Sequence, residues 1–175
     1  MRFILSSIFC IFLSTNLCAK ESTTESASEV IKSALIEESD FQKLSQQMKK
    51  DSLGLVLMFH AEHCPYCALM ENDILSPMVK SKEYDKKVLI RKLQIDESRQ
   101  IKDFTGKIIE PSDFSNRYDA TLTPTLVFLD YQGNEKAEKM IGINTVELFG
   151  AYLDAEIDKL KTNIDADLAA TSTSK

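Results

Sequence analysis

One stretch of the 175-residue chain decides the fold: Leu55-Val56-Leu57-Met58-Phe59-His60-Ala61-Glu62-His63-Cys64-Pro65-Tyr66-Cys67. It opens with five apolar residues, 55–59, and such a run predicts a buried strand. It closes with two cysteines three positions apart, where a helical pattern begins. At a helix N-terminus, free backbone N–H groups and the positive end of the helix dipole favour a thiolate at the first cysteine, Cys64. A thiolate is the nucleophile that attacks a disulfide, so this layout is typical of a thiol–disulfide redox site.

The rest of the chain predicts alternating helices and strands. Apolar residues recur at helical spacing from Glu29 to about Lys50, and Ser39-Asp40 is a candidate N-cap of a second segment, which would divide this stretch into two short helices. The helix that begins at Cys64 extends toward Leu75, with a break or kink near Pro77. Further predicted elements are strands at 88–96 and 126–130, a turn at 132–134 followed by a hairpin partner at 135–141, helical pieces near 101–104 and 113–118 within a polar connection at 97–120, and a final helix capped by Asn144.

This order of elements predicts an α/β fold. Its central mixed sheet is flanked by helices and has a parallel βαβ half and an antiparallel half.

The two ends of the chain differ from its middle. Residues 1–19 combine an early positive charge with a short apolar core and end in Ala19, a pattern that predicts a cleaved signal peptide. An uncleaved N-terminal anchor is the alternative, although the apolar core is shorter than the ~20 residues of a comfortable membrane span. We expect residues 20–28 to be a flexible leader, 29–161 the folded domain, and 162–175 a flexible C-terminal tail.

Cleavage would change the cysteine content of the protein. Cys10 and Cys18 would leave with the signal peptide, so Cys64 and Cys67 would remain. An exported protein with one Cys-x-x-Cys pair and no other disulfides is expected to use the pair for exchange in an oxidising compartment, here the periplasm. The alternative is that Cys64 and Cys67 form a small local disulfide that takes no part in exchange.

The charge of the chain argues against two classes of partner. The formal net charge is −6, and loss of Arg2 with the signal peptide makes it −7. Nucleic acids and anionic membrane surfaces repel an acidic protein, so neither is expected as a partner.

From about Leu53 to Lys161 the sequence resembles the thioredoxin superfamily. Four features carry the resemblance. The first two are the strand into the active site (55–64) and the next strand, Lys92-Leu93-Gln94-Ile95-Asp96. The other two are the segment of the cis-proline, Tyr118-Asp119-Ala120-Thr121-Leu122-Thr123-Pro124-Thr125, and the hairpin glycines Gly133 and Gly142. The export signal and the long connection between Asp96 and Thr123 most resemble periplasmic thioredoxin-like proteins of the SoxW kind.

The resemblance implies a thioredoxin fold with an N-terminal helical extension and a longer helical connection before the strand of the cis-proline. That proline would be Pro124, and the alternative is an ordinary trans proline that opens a strand. A cis bond would place the backbone of Thr123 beside the two sulfurs, where it could pair with an extended segment of a substrate.

The sequence also departs from the family. Thioredoxins carry a buried aspartate six positions before the first cysteine, and here that position is Met58, so proton removal from Cys67 lacks this carboxylate. Glu62 is the candidate replacement, but we expect it to face outward. The position directly before the first cysteine, where the family usually has tryptophan, is occupied by His63. The dipeptide Pro65-Tyr66 resembles that of glutaredoxin more than that of thioredoxin.

These features predict a thiol–disulfide oxidoreductase without a cofactor. Cys64 would attack and form a mixed disulfide with a substrate protein, and the more buried Cys67 would resolve it. Pro65 restricts the loop, and Tyr66 lies on the rim that faces the substrate or simply covers the surface. A protonated His63 would stabilise the Cys64 thiolate, unless it is only a solvated histidine.

The closeness to thioredoxin and to SoxW favours a reductase. Such a protein would act on protein disulfides as a monomer and would draw electrons from a membrane donor. A disulfide oxidase or isomerase remains an alternative, because the direction of electron flow is not written in the sequence.

Metal binding and simple protein binding are functions of a different class that the same residues would allow. His60, His63, Cys64 and Cys67 offer two imidazoles and two thiolates, a set that suits Zn or Cu(I) and would make the protein a metallochaperone. Strand alternation is expected to aim His60 away from the sulfurs, so we predict no metal site. A binding module or chaperone would instead use the groove around Pro124 and would not need the cysteines.

Overall fold

The structure, a computed structural model, describes residues 34–143 and 145–173. Its elements are β1 (Ile36–Glu37), α1 (Phe41–Asp51), β2 (Gly54–His60), α2 (Pro65–Leu69), a π-helix (Met70–Leu75), α3 (Ser76–Ser81), β3 (Val88–Gln94), β4 (Ile101–Lys102), β5 (Ile108–Ile109), α4 (Pro111–Asn116), β6 (Thr125–Leu129), β7 (Met140–Ile141) and α5 (Val146–Thr173). The predicted signal peptide and leader, and the proposed cap Asn144, lie outside the described residues. Within the described ranges, none of the helices has the length and apolar character that a membrane crossing requires.

The central sheet has five strands in the order β1-β3-β2-β6-β7. Strands β1, β3 and β2 are parallel, whereas β6 pairs antiparallel with β2 and β7 pairs antiparallel with β6. The prediction of a mixed sheet flanked by helices is therefore confirmed. The carboxyl end of β2, where the chain leaves the sheet for the cysteine pair, lies at its centre between β3 and β6.

Strand β2 carries an unbroken apolar run at 55–59 because helices cover both faces of the sheet. Val56 and Met58 point into a cluster formed with the π-helix and α5. Leu55, Leu57 and Phe59 point into a second cluster, to which α1 and α4 contribute buried aromatic residues. Burial on both faces explains the unbroken apolar run that precedes the cysteines.

The N-terminal part of the domain is less helical than predicted. Asp40 does cap α1, since its side chain accepts the backbone N–H of Lys43 at 2.9 Å. The expected first helix is wrong where the structure describes it, because Ile36–Glu37 is a strand that pairs with β3. Pairing with a sheet edge outweighs the local helical spacing of these residues.

The helix that follows the cysteines is interrupted before the predicted position. The π-helix Met70–Leu75 joins α2 to α3, and the N–H of Ser76 bonds the carbonyl of Glu71, five residues back. Pro77 then falls in the first turn of α3, where a missing N–H does little harm. The helix is thus interrupted by a π-helical turn directly before Pro77, and not at the proline itself.

The connection after β3 contains a small hairpin where a helical piece near 101–104 was expected. Ile101 pairs with Ile109 in an antiparallel β4–β5 ribbon. Gly106, at φ +90°, allows the turn between the two strands. The second helical prediction is close to the observed α4 at Pro111–Asn116.

The C-terminal segment is helical rather than the predicted flexible tail. Helix α5 continues past 161 to Thr173. Ile164 is buried, Leu168 packs against the same core, and Asn163 Nδ2 donates to the carbonyl of Lys136 at 2.6 Å. These contacts with the body of the domain explain why the polar composition of the segment misled the prediction.

Candidate active site

The cysteine pair occupies the junction between β2 and α2. Cys64 is the N-cap of α2, with Pro65 at the first helical position, where proline is favoured. Cys64 and Cys67 form a disulfide, and their Cα atoms are 5.2 Å apart. Cys64 is half-buried and its Sγ accepts the backbone N–H of Cys67 at 3.2 Å, whereas Cys67 is only 3% exposed. The two sulfurs therefore differ in access, with Cys64 on the solvent side.

The residues around the pair form an exposed rim. His63 has a left-handed backbone at φ +56°, and its ring is 90% exposed with Nε2 3.6 Å from Glu62 Oε1. Pro65 is exposed as well, and Tyr66 is 64% exposed. These side chains can therefore meet a partner without any rearrangement of the fold.

The loop before β6 brings Thr123 and Pro124 to the cysteines. The Thr123–Pro124 peptide bond is cis, as the resemblance implies. The Thr123 hydroxyl donates to Cys64 Sγ at 3.6 Å, and the carbonyl of Pro124 accepts the N–H of Gly142 at 2.8 Å. Leu122 is 65% exposed beside them. The structure thus brings together all seven predicted site residues and adds one further exposed apolar side chain, that of Leu122.

His60 lies in a different environment from His63. Both histidines line the same cleft of about 400 Å³ as the cysteines, but His60 Nε2 is 2.8 Å from Glu37 Oε2. Burial would raise the pKa of Glu37, yet the hydrogen bond and charge of His60 lower it, helped by the N–H of Gln94 at 2.6 Å. His60 is therefore anchored to β1.

This arrangement bears on the metallochaperone alternative. Within 34–143 and 145–173, no three or more His, Cys, Asp or Glu side chains are grouped so that they could hold a metal ion. The cysteines are bonded to each other and His60 is engaged by Glu37. The four residues considered from the sequence line one cleft, but in the described part of the chain they are not grouped so that they could hold a metal ion.

The structure adds an ion pair that the sequence interpretation missed. Lys92 Nζ lies 2.6 Å from Glu71 Oε1, and both side chains are largely buried, at 16% and 12% exposure. Lys92 is the register partner of Met58 across β2 and β3. The sequence did contain an indication that Glu71 lies near the cysteines: it follows Cys67 by four residues and thus lies on the same helix face one turn later.

The outward orientation expected for Glu62 is observed. Its side chain is 68% exposed, and its backbone N–H donates to both carboxylate oxygens of Asp96 at 3.1 and 3.0 Å. Glu62 is therefore no substitute for a carboxylate behind Cys67.

Comparison with known proteins agrees with this geometry. Residues 41–157 match the thioredoxin-like domain family, which is about two-thirds of the chain. The chain belongs to that family. No curated protein matches the sequence.

Solved structures add information on the fold. The thioredoxin of Malassezia sympodialis (Mala s 13) is 19% identical, the match covers 74% of this chain and 92% of that one, and the TM-score is 0.50. The oxidised mitochondrial thioredoxin 3 of Saccharomyces cerevisiae is 22% identical, with 69% and 94% coverage and a TM-score of 0.46. The family match and the Cys64–Cys67 pair together fit a thiol–disulfide oxidoreductase.

Proposed function

We propose that the chain is an exported thiol–disulfide reductase that acts on protein disulfides through Cys64 and Cys67. One observation carries this proposal: a half-buried sulfur caps a helix N-terminus and is bonded to a buried sulfur one turn on. This asymmetry supplies an accessible attacking thiol and a protected resolving thiol, which are the two parts that disulfide exchange requires.

The reaction begins from the reduced pair. The Cys64 thiolate attacks one sulfur of a substrate disulfide, forms a mixed disulfide, and releases the other substrate sulfur as a thiolate that takes up a proton. The Cys67 thiol then loses its proton and attacks Cys64 Sγ. The mixed disulfide breaks, the second substrate thiol leaves, and the Cys64–Cys67 disulfide forms. Two electrons pass from the dithiol to the substrate.

The surroundings of the pair support a protein substrate. Tyr66 in the loop of the cysteines and Leu122 next to Thr123 both expose apolar surface, and Thr123 touches the sulfur of Cys64. An extended substrate segment that pairs with the backbone at Thr123 would bring its own disulfide to Cys64. In this proposal Thr123 and Pro124 bind the substrate, while His63, Pro65 and Tyr66 shape the loop around the nucleophile.

The direction and location of the reaction rest on the sequence. The pattern of residues 1–19 supports export to the periplasm, and the long connection 97–120 supports the SoxW-like subtype. An exported reductase must be reduced again after each turnover in an oxidising compartment, so we propose a membrane electron donor. We further propose that the protein acts as a monomer.

The reduction potential of the pair tests the direction. The purified protein without residues 1–19 is equilibrated in glutathione buffers of known potential, and the free thiols are counted. We expect a value near that of thioredoxin, about −270 mV. A value near that of DsbA, about −120 mV, would make the protein an oxidant instead.

Two variants test the roles of the cysteines. Cys67→Ser is expected to accumulate a mixed disulfide with a protein substrate, because attack still occurs but resolution does not. Cys64→Ser is expected to form none, since Cys67 is buried. Mass spectrometry of the trapped species measures how much mixed disulfide each variant forms. Equal amounts in the two variants would contradict these roles.

A further inference from the structure

Disulfide exchange at this site requires a proton acceptor for Cys67. The resolving thiol is 3% exposed, and a buried thiol gives up its proton with difficulty because the thiolate is poorly solvated. Only the thiolate attacks a disulfide. A reductase of the proposed type therefore needs a base within reach of Cys67, directly or through one water molecule.

Glu71 is the one carboxylate among the described residues that line the cleft of the cysteines. It follows Cys67 by four residues on the same helical segment, and its side chain is 12% exposed. The other acidic residue near the loop, Glu62, is 68% exposed and pairs with His63. His60 also lines the cleft, but its Nε2 is bound to Glu37.

The π-helix explains why Glu71 faces inward. Its wider turn brings two consecutive side chains toward the sheet, so that Met70 is fully buried in the core while Glu71 is largely buried beside it. Interruptions of this type occur frequently at functional sites. Without a charged partner, a carboxylate in this position would be costly.

Lys92 supplies that partner from the sheet below. Its Nζ lies 2.6 Å from Glu71 Oε1, and this charge-assisted contact restricts the position of the carboxylate. In register, Lys92 lies beside Met58 of β2, which carries no charge, and beside Glu37 of β1, whose carboxylate is bound by His60. The carboxylate in direct contact with Lys92 is that of Glu71, which belongs to the helical segment that carries Cys67.

We propose that Glu71 accepts the proton of the Cys67 thiol through one water molecule, and that Lys92 is the residue that positions Glu71. This inference rests on the proposed function, since it concerns its resolving step. The proton passes from Cys67 Sγ to the Glu71 carboxylate while the sulfur attacks Cys64 Sγ. Glu71 then returns the proton to solvent or to the departing substrate thiolate.

A chromogenic aromatic disulfide separates the two chemical steps. When the reduced protein reacts with dithiobis(nitrobenzoate), attack by Cys64 releases one coloured thiolate, and resolution by Cys67 releases a second. Stopped-flow absorbance gives the rate of each release across a range of pH. The first rate also reports whether the site is intact in each variant.

Glu71→Gln keeps the size of the side chain and removes the base. We expect its second release to slow about 100-fold near neutral pH and to rise with pH toward the wild-type rate, while the first release is unchanged. Glu71→Asp, which keeps a carboxylate, should show the same pH dependence as the wild type. Glu62→Gln is the matched control and should leave both rates unchanged.

Two results would overturn the inference: an unchanged second release in Glu71→Gln, or a loss that is the same at every pH and in Glu71→Asp as well. The latter would mean that Glu71 only supports the packing of the helix. Reduction of protein disulfides by the wild type is measured separately, so failure of the proposed function would be seen as a lack of that activity and not in the variant rates.

Discussion

At the scale of single residues, Asp103 is a buried carboxylate that stabilises the turn between β4 and β5. Its side chain is 2% exposed. One oxygen accepts the Thr105 hydroxyl at 2.7 Å and the backbone N–H groups of Thr105 and Lys107 at 2.9 Å, and the other accepts Arg117 at 2.7 Å. Burial alone would raise the pKa of Asp103, but these hydrogen bonds lower it from 3.8 to about 2.

The lowered pKa of Asp103 predicts a specific pH dependence of stability. Above about pH 5 the carboxylate is ionised in both states and contributes roughly 2 kcal/mol. Between about pH 4 and pH 2 the unfolded chain binds the proton first, so this contribution is lost as the pH falls. We expect Asp103→Asn to lower the free energy of unfolding by that amount at neutral pH, and the difference from wild type to shrink in acid.

Urea unfolding at several pH values measures this difference. Asp85→Asn, which removes an exposed carboxylate from a turn, is the control and should change stability by less than about 0.5 kcal/mol at any pH. A cost for Asp103→Asn that stays constant from neutral to acid pH would contradict a role for its ionised form.

Residues whose role depends on their local sequence were predictable, and residues whose role depends on a partner far along the chain were not. Cys64, Pro65 and Cys67 could be placed because four consecutive residues define both spacing and helix start. Glu71 was missed because its significance comes from Lys92, which lies on another element and 21 positions away. Thr123 and Pro124 were found only through a family resemblance, since nothing local indicates that they contact Cys64.

At the scale of elements, α5 packs on β2 at a position that only glycine can occupy. A Cβ added to Gly54 would lie 2.5 Å from Leu160 Cδ2 and 2.8 Å from its Cγ. Leu160 is fully buried and cannot move aside without disturbing the core. We therefore expect Gly54→Ala to lower the free energy of unfolding by about 1–3 kcal/mol, as measured by denaturant unfolding.

Gly150→Ala provides the matched control for this contact. Gly150 lies in α5 and is exposed, and a Cβ there would meet nothing within 4 Å. Because alanine favours the helix over glycine, this variant should be more stable by about 0.5–1 kcal/mol. Equal effects of the two substitutions would show that the contact between Gly54 and Leu160 is not the cause.

Long elements with a strong pattern were predicted well, whereas short ones were not. The apolar runs of β2 and β6 and the largely apolar start of β3 mark strands whatever surrounds them, and the positions of the three strands differ from prediction by one or two residues. Strands β1 and β4 have two residues each, and they exist because a neighbouring strand supplies their partners. The π-helix likewise depends on how its side chains fit the sheet, which a helical period cannot show.

At the scale of the whole molecule, the structure extends the folded domain beyond the boundary predicted at 161. The last turns of α5 hold Ile164 in the core, and Lys136 Nζ lies 2.8 Å from Asp167 Oδ2. Composition alone could not reveal this, because the segment 162–175 is rich in Ala, Thr, Ser and Asp and carries few apolar residues. Its stability comes from tertiary contacts rather than from its own apolar content.

Removal of residues 162–175 should therefore destabilise the entire domain and not merely shorten a tail. Ile164→Ala in the full chain is expected to cost about 2–4 kcal/mol, and the truncation at least as much, since it removes Ile164 together with the contacts of Asn163 and Asp167. The exposed Thr162→Ala is the control within the same segment and should change stability by less than about 0.5 kcal/mol. If the truncated chain unfolded at the wild-type denaturant midpoint, the last turns of α5 would not belong to the cooperative unit, and the domain would end near 161 after all.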